Sequence, residues 1–400
     1  MEFPFYVCEL TKEQKEIFLK HFVEKDNRFY FEGIWFRNQR KENQKVSGYI
    51  DETTKKRRYI QFYDAYEISK KDGKDYLIVK DSFIYVSNTF QKEEVIEYKL
   101  KVLDALEKSG FIKLEKNHYK KDDLEVELIE YDIHPKNKEG NVTFPENYSS
   151  LDVIIHTTNY LCKQENERMW KLSTKMFRQA DKRENPIYIT DLKELKKYLP
   201  AQIEMGCGPS ITAGIPPLYK MHETYKVQNH DTGKFYFSKD DDLIVNIIKN
   251  TQKMYERFSY VPRVIIQSKP TKAYDTFAKL YHNGIFTGTV LNNNFDRLVR
   301  RYNIPEKILR IYDKESYLPK IEFSKEAKSL ICIGTHADRR KVQCQARAAG
   351  KQIIFIDPEG FYSENGFEPY LIEGPKNEDI ILKTTFEEAM KQFEKEFLKV

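Results

Sequence analysis

The sequence predicts two domains, an α+β domain over residues 1–185 and an α/β domain with a Rossmann-like parallel sheet over residues 186–400. A chain of 400 residues usually forms more than one domain. Short alternating runs such as "RRYIQFYDAYEI" come before Pro186 and indicate antiparallel strands with one solvated face. Continuous apolar runs such as "SLICIGT" come after it and indicate parallel strands covered on both faces.

Composition narrows the class of protein. Hydrophobic residues make up 40% of the chain and aromatic residues 14%, which is enough for a sizeable core. No apolar run approaches about 18 residues and the first residues lack a signal-peptide pattern, so we expect a cytoplasmic protein with no membrane partner. The net charge of +5 comes from 67 basic and 62 acidic residues that are interleaved, which favours a solvated surface over a nucleic-acid groove.

The cysteines argue against a metal site. They are odd in number, scattered and never in a C-x-x-C pair. The five are Cys8, Cys162, Cys207, Cys332 and Cys344. No disulfide framework and no zinc are expected.

In the first domain, the helical pattern "EEVIEYKLKVLDALEKSG" precedes the strand-like runs "FIKLEKNHY" and "LEVELIEYDI". A helix followed by a hairpin is the order of a winged helix, so residues 92–132 are a candidate winged-helix-like segment. Its lysines Lys113, Lys116, Lys120 and Lys121 would then contact phosphates. The alternative is an ordinary helix packed on a hairpin. The domain is interpreted as an accessory or sensor domain whose trigger is a protein or a nucleic acid.

In the second domain, the strand candidate "AQIEM" runs into "GCGPSITAGIPPLY", which holds three glycines and three prolines. "SLICIGT", a helical pattern and "KQIIFID" follow later as a βαβ unit. In such sheets ligands bind beyond the carboxyl ends of the strands. The glycine spacing is not G-x-G-x-x-G, so a phosphate cradle and a tight structural turn both stay open.

Five stretches, taken together, resemble the sirtuin family over about residues 191–400. "GCGPSITAGIPPLY" resembles the family signature G-A-G-I-S-x-x-S-G-I-P-D-F-R, and "VLNNNFDRLVRRYNI" resembles T-Q-N-I-D-x-L. "KPTKAYDTFAKLYHNG" is similar to a family helix, with Tyr274 where histidine is usual. "ICIGTHADRRKVQ" and "IIFID" stand where the family has strands ending in G-T-S and in Asn.

The resemblance implies NAD as a substrate. Asn294 and Asp296 would flank the nicotinamide ribose as catalytic residues, and Asp357 would bind the adenine ribose, favouring NAD over NADP. The other implied cofactor-binding residues are Gly206, Cys207, Gly208, Ser210, Gly214, Ile215, Pro216, Tyr219, Gly334, Thr335 and His336. Ordinary structural roles remain open for each: Asn294 as a capping loop residue, Asp296 as an N-cap, His336 as a loop histidine and Cys207 as a small buried residue.

Three departures from the family pattern change the predicted activity. Tyr312 stands where the family has its catalytic histidine, and a phenol with an ordinary pKa near 10 is a poor general base. The zinc-binding cysteine pairs are absent, and Tyr219 replaces an arginine. The alternative interpretation of Tyr312 is an ordinary half-buried tyrosine.

Glu204 is a charged residue in the strand candidate "AQIEM", and it either faces solvent or touches the site.

The sequence therefore predicts an NAD hydrolase that releases ADP-ribose. Protein mono-ADP-ribosyltransfer, deacylation and non-catalytic sensing of NAD or ADP-ribose are the alternatives. By analogy with the family, bacterial phage defence is a candidate context, and an oligomer is a candidate state.

Overall fold

The computed structural model divides the chain into two compact units. Unit 1 comprises Met1–Arg168 and Tyr219–Arg263, and unit 2 comprises Met169–Leu218 and Val264–Val400. The structure describes residues 3–23, 28–36, 58–132, 148–158, 180–217, 243–309, 318–338, 340–363 and 366–398.

Unit 1 is built on an eight-stranded antiparallel sheet. Its strands are β1 Phe5–Leu10, β2 Phe29–Phe36, β3 Arg58–Lys71, β4 Lys74–Gln91, β5 Ile112–Glu115, β6 His118–Lys121, β7 Leu124–Asp132 and β8 Tyr148–Thr157. The strand order is β2-β3-β4-β8-β7-β6-β5, and β1 pairs with the first part of β4. The turn between β3 and β4 uses Asp72 and Gly73, both at positive φ, as the sequence "KKDGK" favours.

Helices of unit 1 cover this sheet. Those that lie before residue 186 and within the described residues are α1 Lys12–Ile17, which continues as a π-helical turn over Phe18–Phe22, and α2 Lys92–Lys108. The apolar stripe predicted for α2 is buried, and the helix stops before Gly110, whose φ is +82°. The core is aromatic, with Phe22 against Phe29 at a ring separation of 5.0 Å.

The segment 92–132 forms a helix followed by a three-stranded meander, β5-β6-β7, that continues into the large sheet. The predicted first strand is itself a hairpin, because Asn117 at φ +62° turns the chain between β5 and β6. Lys121 donates from Nζ to the carbonyl oxygen of Ser109 at 2.6 Å, next to the end of α2. This contact gives Lys121 a structural role, and binding of nucleic acid by the segment stays a prediction.

The division of the chain differs from the predicted boundary near residue 186 in two segments, since residues 169–185 belong to unit 2 and Tyr219–Arg263 belongs to unit 1. This segment contains α4 Leu243–Lys249 and α5 Thr251–Phe258, and α6 Tyr260–Gln267 follows it. Helix α4 packs against α2 and β4. The ring of Phe258 stacks on Phe62 at 4.1 Å, and Tyr255 hydrogen-bonds Ser82. Apolar burial against the antiparallel sheet thus assigns the segment to unit 1.

Unit 2 contains the predicted α/β domain. Its strands are β9 Ile187–Ile189, β10 Ala201–Met205, β11 Val290–Asn292, β12 Glu306–Ile308, β13 Ser329–Ile333, β14 Gln352–Ile356, β15 Gly360–Ser363, β16 Gly366–Pro369 and β17 Ile380–Leu382. Its α-helices, besides the end of α6, are α3 Gly208–Thr212, α7 Lys272–His282, α8 Val342–Ala348 and α9 Phe386–Phe397, and 3₁₀ turns cover Leu192–Tyr198 and Val299–Tyr302. Asp191 caps the first 3₁₀ turn, its side chain accepting the N–H of Lys193.

Seven strands of unit 2 form a parallel sheet in the order β12-β11-β10-β13-β14-β17-β9. If the edge strand β9 is left out and the other six strands are numbered in chain order from β10, the strand order reads 3-2-1-4-5-6. This is the order of doubly wound dinucleotide-binding folds. The predicted βαβ unit is confirmed as β13-α8-β14. The α/β fold class with a Rossmann-like sheet is therefore confirmed. Within the described residues, no helix is long and apolar enough to cross a membrane.

Candidate functional site

The carboxyl ends of adjacent parallel strands of unit 2 lie in one row. Met205 is paired with Asn292 on one side and with Ile333 on the other, and Ile333 is paired with Ile356. The strand order reverses between β10 and β13, so the switch point lies where Met205 and Ile333 end. Open α/β sheets bind their ligands in the crevice at this point. The residues that follow these strands are the ones singled out from the sequence.

Three glycines bring the two loops at the switch point into direct contact. A Cβ on Gly206 would lie 2.2 Å from the carbonyl oxygen of Gly334, and one on Gly334 would lie 2.7 Å from the Cα of Gly208. Gly334 also has φ +62°. Gly206 and Gly334 therefore leave no room for a side chain where the two loops meet, whereas a Cβ on Gly208 would lie 3.0 Å from the Gly334 Cα. The phosphate cradle stays a prediction.

Thr335 follows these glycines and carries a buried polar atom that needs a partner. Its side chain is 7% exposed, and Oγ1 has no hydrogen-bond partner within the described part of the chain. A Cβ on Gly206 would come within 2.5 Å of this oxygen, so Oγ1 lies against the glycine loop. An unsatisfied buried hydroxyl costs free energy, and a hydrogen-bonding ligand at the switch point would remove that cost.

Ser210 and Asp296 connect the glycine loop to the loop after β11. The Ser210 hydroxyl donates to Asp296 Oδ2, and Asp296 Oδ1 accepts the backbone N–H of Leu298 at 3.0 Å. Burial, partly offset by these hydrogen bonds, raises the pKa of Asp296 to about 6. Tyr274, at the usual histidine position, is fully buried, and its pKa is raised well above the ordinary value, chiefly by burial and then by the charge of Asp296. Ser210 and Asp296, which the sequence predicted as site residues, thus link the two loops, and both are almost inaccessible to solvent.

The three consecutive asparagines at the end of β11, Asn292 to Asn294, have distinct contacts. Asn292 donates to Glu306 at 2.8 Å and accepts the N–H of Asn294 on its Oδ1 at 2.9 Å. Asn293 donates to Glu204 at 3.0 Å. Asn294 donates from Nδ2 to the carbonyl oxygen of Gly206 at 2.5 Å. The half-buried Asn294 is held at the switch point, and among the described residues its Oδ1 has no hydrogen-bond partner.

Asp357 follows β14 and is already engaged within the protein. Its carboxylate accepts the hydroxyl of Tyr370 at 2.8 and 3.0 Å and the N–H of Glu359 at 2.8 Å. Burial raises the pKa of Asp357 to about 6. Cys207 has its pKa raised to about 11, by burial first and then by the charge of Asp357, so its thiol is not an activated nucleophile. A ribose at Asp357 would have to displace Tyr370.

Glu204 lies in the middle strand of the site, and sequence reasoning left its role open. Its carboxylate is 2% exposed and accepts hydrogen bonds from Asn293 Nδ2 at 3.0 Å and Gln343 Nε2 at 3.2 Å. Burial, and next the charge of Asp338, raise its pKa. Asn293 Oδ1 also accepts a hydrogen bond from Arg340 at 2.6 Å. Asn293 thus connects Glu204 to Arg340 in one hydrogen-bond network. The only sign of this network in the sequence was a charged residue within an apolar strand.

Other predicted residues lie around this centre or outside the described part. Ile215 donates from its N–H to the Ser210 carbonyl oxygen at 3.1 Å, while Gly214 at φ +87° turns the chain and Pro216 is half-buried. His336 is exposed, with its ring 5.9 Å from that of Tyr370. Tyr219 and Tyr312 lie outside the described residues.

Comparisons with known proteins give a likeness of fold. No protein-family model matches the sequence, and no curated protein matches it. Among solved structures, a complex of Sir2 with a p53 peptide and NAD+ is 15% identical, with 52% of this chain and 98% of that chain covered and a TM-score of 0.33. A Sir2 homolog–NAD complex is 16% identical, with coverages of 52% and 94% and a TM-score of 0.34. Sir2Tm bound to a propionylated peptide is 15% identical, with coverages of 51% and 98% and a TM-score of 0.34. Each of these matches covers about half of this chain.

Proposed function

We propose that unit 2 binds NAD at the switch point between β10 and β13 and cleaves its nicotinamide–ribose bond to give ADP-ribose. The observation that carries the proposal is the 3-2-1-4-5-6 strand order with a glycine-rich loop directly after its first strand. The unpartnered Oγ1 of Thr335 beside that loop supports a ligand with hydrogen-bonding oxygens there.

The chemistry proposed for this site needs no strong base. The nicotinamide of NAD leaves as a neutral molecule from a cationic precursor, and the ribose carbon passes through an oxocarbenium-like state. Asn294 is the proposed catalytic residue, because its Nδ2 is held by Gly206 and its Oδ1 is left to accept a hydrogen bond from a water or a ribose hydroxyl. Asp296 is proposed to act as a positioning residue through Ser210.

The test is incubation of the purified chain with NAD, followed by chromatographic separation of the products. Nicotinamide and ADP-ribose in equal amounts are the expected result. Nicotinamide with labelled protein would instead support mono-ADP-ribosyltransfer, and O-acyl-ADP-ribose formed with an acylated peptide would support deacylation. Saturable NAD binding without nicotinamide release would support a sensing module. No binding of NAD or ADP-ribose at millimolar concentration would refute the proposal.

A further inference from the structure

A buried ion pair connects the loop that carries Asn294 to strand β12. Arg297 Nη1 lies 3.3 Å from Glu306 Oε1, and the two side chains are 6% and 0% exposed. Arg297 lies in the loop that follows β11, and Glu306 is the first residue of β12. A buried ion pair is weak evidence for stability, because removing two charges from water costs about as much as their attraction returns. Stability alone therefore does not explain this pair.

The backbone at Arg297 is strained. Its φ is +56°, in the left-handed region that favours glycine. Any residue with a Cβ adopts this conformation at a cost. The contact with Glu306, whose side chain is closed to solvent and needs a positive partner, offsets that cost. The pair thus exists in spite of both burial and backbone strain, as is frequent at functional sites.

Glu306 also sets the orientation of the Asn292 amide. Glu306 is paired with Val290, and Asn292 lies two residues further along β11, so the three side chains share one face of the sheet. Asn292 is fully buried, and its Nδ2 donates to Glu306 Oε2 at 2.8 Å. A carboxylate only accepts hydrogen bonds, so the amide has to present its NH₂ group to Glu306 and its oxygen to the other side. The opposite orientation would place two oxygens against each other.

The oriented amide oxygen then holds the backbone of Asn294. Asn292 Oδ1 accepts the N–H of Asn294 at 2.9 Å. Asn294 Nδ2 in turn donates to the carbonyl oxygen of Gly206 at 2.5 Å. Asn294 is thus held at two points, its backbone N–H and its amide. Such fixation matters for catalysis, because a misplacement of about 1 Å can lower a rate by about a hundredfold.

We propose that Glu306 and Arg297 are positioning residues for Asn294 and act through the amide of Asn292. Arg297 holds the carboxylate of Glu306, and Glu306 orients Asn292. The inference rests on the catalytic role proposed for Asn294. Because these contacts act on the loop and not on the ligand, their loss should lower kcat for nicotinamide release and leave KM for NAD nearly unchanged.

The test exchanges the donor and the acceptor of the contact between Asn292 and Glu306. Asn292→Asp places two carboxyl groups against each other, so the side chain at this position turns away and the N–H of Asn294 loses its partner. Combining Asn292→Asp with Glu306→Gln reverses the hydrogen bond. The new amide donates to the new carboxylate, whose second oxygen still accepts the N–H of Asn294. The number of buried charges is then the same as in the unchanged chain.

Two measurements on the full chain are compared. We expect Asn292→Asp to lower kcat for nicotinamide release by at least about tenfold with KM for NAD within about twofold, and the double variant to recover kcat to within about threefold. Hydrogen exchange of the Asn294 N–H is followed by mass spectrometry at single-residue resolution. It should be at least about tenfold faster in Asn292→Asp and return toward the original rate in the double variant.

Asp379→Asn is the matched control for loss of a buried ion pair. Asp379 is 1% exposed and pairs with Arg347. It directly precedes β17, so it lies at the amino ends of the parallel strands, opposite to the switch point. Asp379→Asn should lower the melting temperature, because Arg347 loses its partner, and should change neither kcat nor the exchange of the Asn294 N–H.

The outcomes separate this inference from the proposed function. No nicotinamide release by the unchanged chain would refute the proposed function, and hydrogen exchange would then decide alone whether Asn292 and Glu306 hold Asn294. Unchanged exchange in Asn292→Asp would overturn the inference, as would a double variant no better than the single one. Faster exchange with an unchanged kcat in an active chain would equally overturn it.

Discussion

Replacing Gly206 with alanine tests whether the two loops at the switch point depend on their glycines. The added Cβ would lie 2.2 Å from the Gly334 carbonyl oxygen and 2.5 Å from Thr335 Oγ1. Neither loop can retreat freely, because the N–H of Gly206 donates to Ile333 at 2.8 Å and that of Gly334 donates to Ile356 at 3.0 Å. Relief of the clash therefore has to disturb the ends of the central strands.

The expected cost follows from these contacts. Overpacking of a close-packed site costs about 1–3 kcal/mol, and loss of one backbone hydrogen bond adds about 1 kcal/mol. We expect Gly206→Ala to lower the free energy of unfolding by about 2–4 kcal/mol. For a unit of this size, that corresponds to a fall of roughly 5–15 °C in melting temperature. Displacement of Thr335 should also weaken NAD binding by more than about tenfold.

Calorimetry of unit 2 unfolding and an NAD titration measure these two effects, with two matched controls. In Gly208→Ala the Cβ would lie 3.0 Å from the Gly334 Cα and at least 3.9 Å from every other atom beyond the neighbouring residues, so the loss should stay near the lower end of the overpacking range, about 1 kcal/mol. In Gly214→Ala the Cβ meets nothing within 4 Å, and only its φ of +87° adds a cost of about 1 kcal/mol. Two results would refute the described contact between the loops. One is a melting temperature of Gly206→Ala within about 2 °C of that of the unchanged chain, and the other is a melting temperature no lower than those of the two control variants.

Three further predictions concern polar groups of the site. Asn294→Ala should abolish nicotinamide release while the melting temperature falls by only a few degrees, measured by chromatography and calorimetry; full activity would exclude Asn294 as the catalytic residue. Asp296 has a folded pKa of about 6 against 3.8, so its contribution to stability is largest below pH 4 and is lost as the pH rises through 6. Asp296→Asn should therefore reduce the fall in the free energy of unfolding between pH 4 and pH 7, measured by urea denaturation, by about 2 kcal/mol, with Asp357 keeping part of the slope; parallel curves would contradict this. Tyr370→Phe should raise NAD affinity about fivefold by calorimetric titration if Asp357 binds a ribose, and an unchanged or lower affinity would remove Asp357 from the site.

The elements of unit 2 could be predicted from sequence because parallel strands covered on both faces are continuous apolar runs. "SLICIGT" and "KQIIFID" contain β13 and β14, and the helical pattern between them contains α8. The contact between Gly206 and Gly334 could not be predicted, since no local pattern shows which two glycine loops meet. The hydrogen bond from the Tyr370 hydroxyl to Asp357 could not be predicted either, because Tyr370 lies after the β15–β16 hairpin and no local pattern connects it with Asp357.

The assignment of Tyr219–Arg263 to unit 1 shows a different limit. An amphipathic helix shows in its sequence which face is apolar, but it does not show which surface covers that face. Tyr255 and Phe258 of α5 are fully buried, and their partners Ser82 and Phe62 lie in strands of the antiparallel sheet. Unit 1 is therefore discontinuous in sequence, because residues 169–218, which include the first strands of the parallel sheet, belong to unit 2.

Three buried carboxyl groups near the ends of the parallel strands lower the free energy of unfolding when they are ionised. Glu204, Asp296 and Asp357 are each 1–2% exposed, and burial raises the pKa of each. With a folded pKa of about 6, ionisation of Asp296 or Asp357 destabilises the native state by about 3 kcal/mol at neutral pH, and the smaller rise for Glu204 corresponds to about 2 kcal/mol. Apolar residues of similar size would be more stable at these positions, and most of the row's neighbours in the sheet are apolar. All three lie around the switch point at which NAD binding is proposed, and functional sites are where local stability rules are often broken.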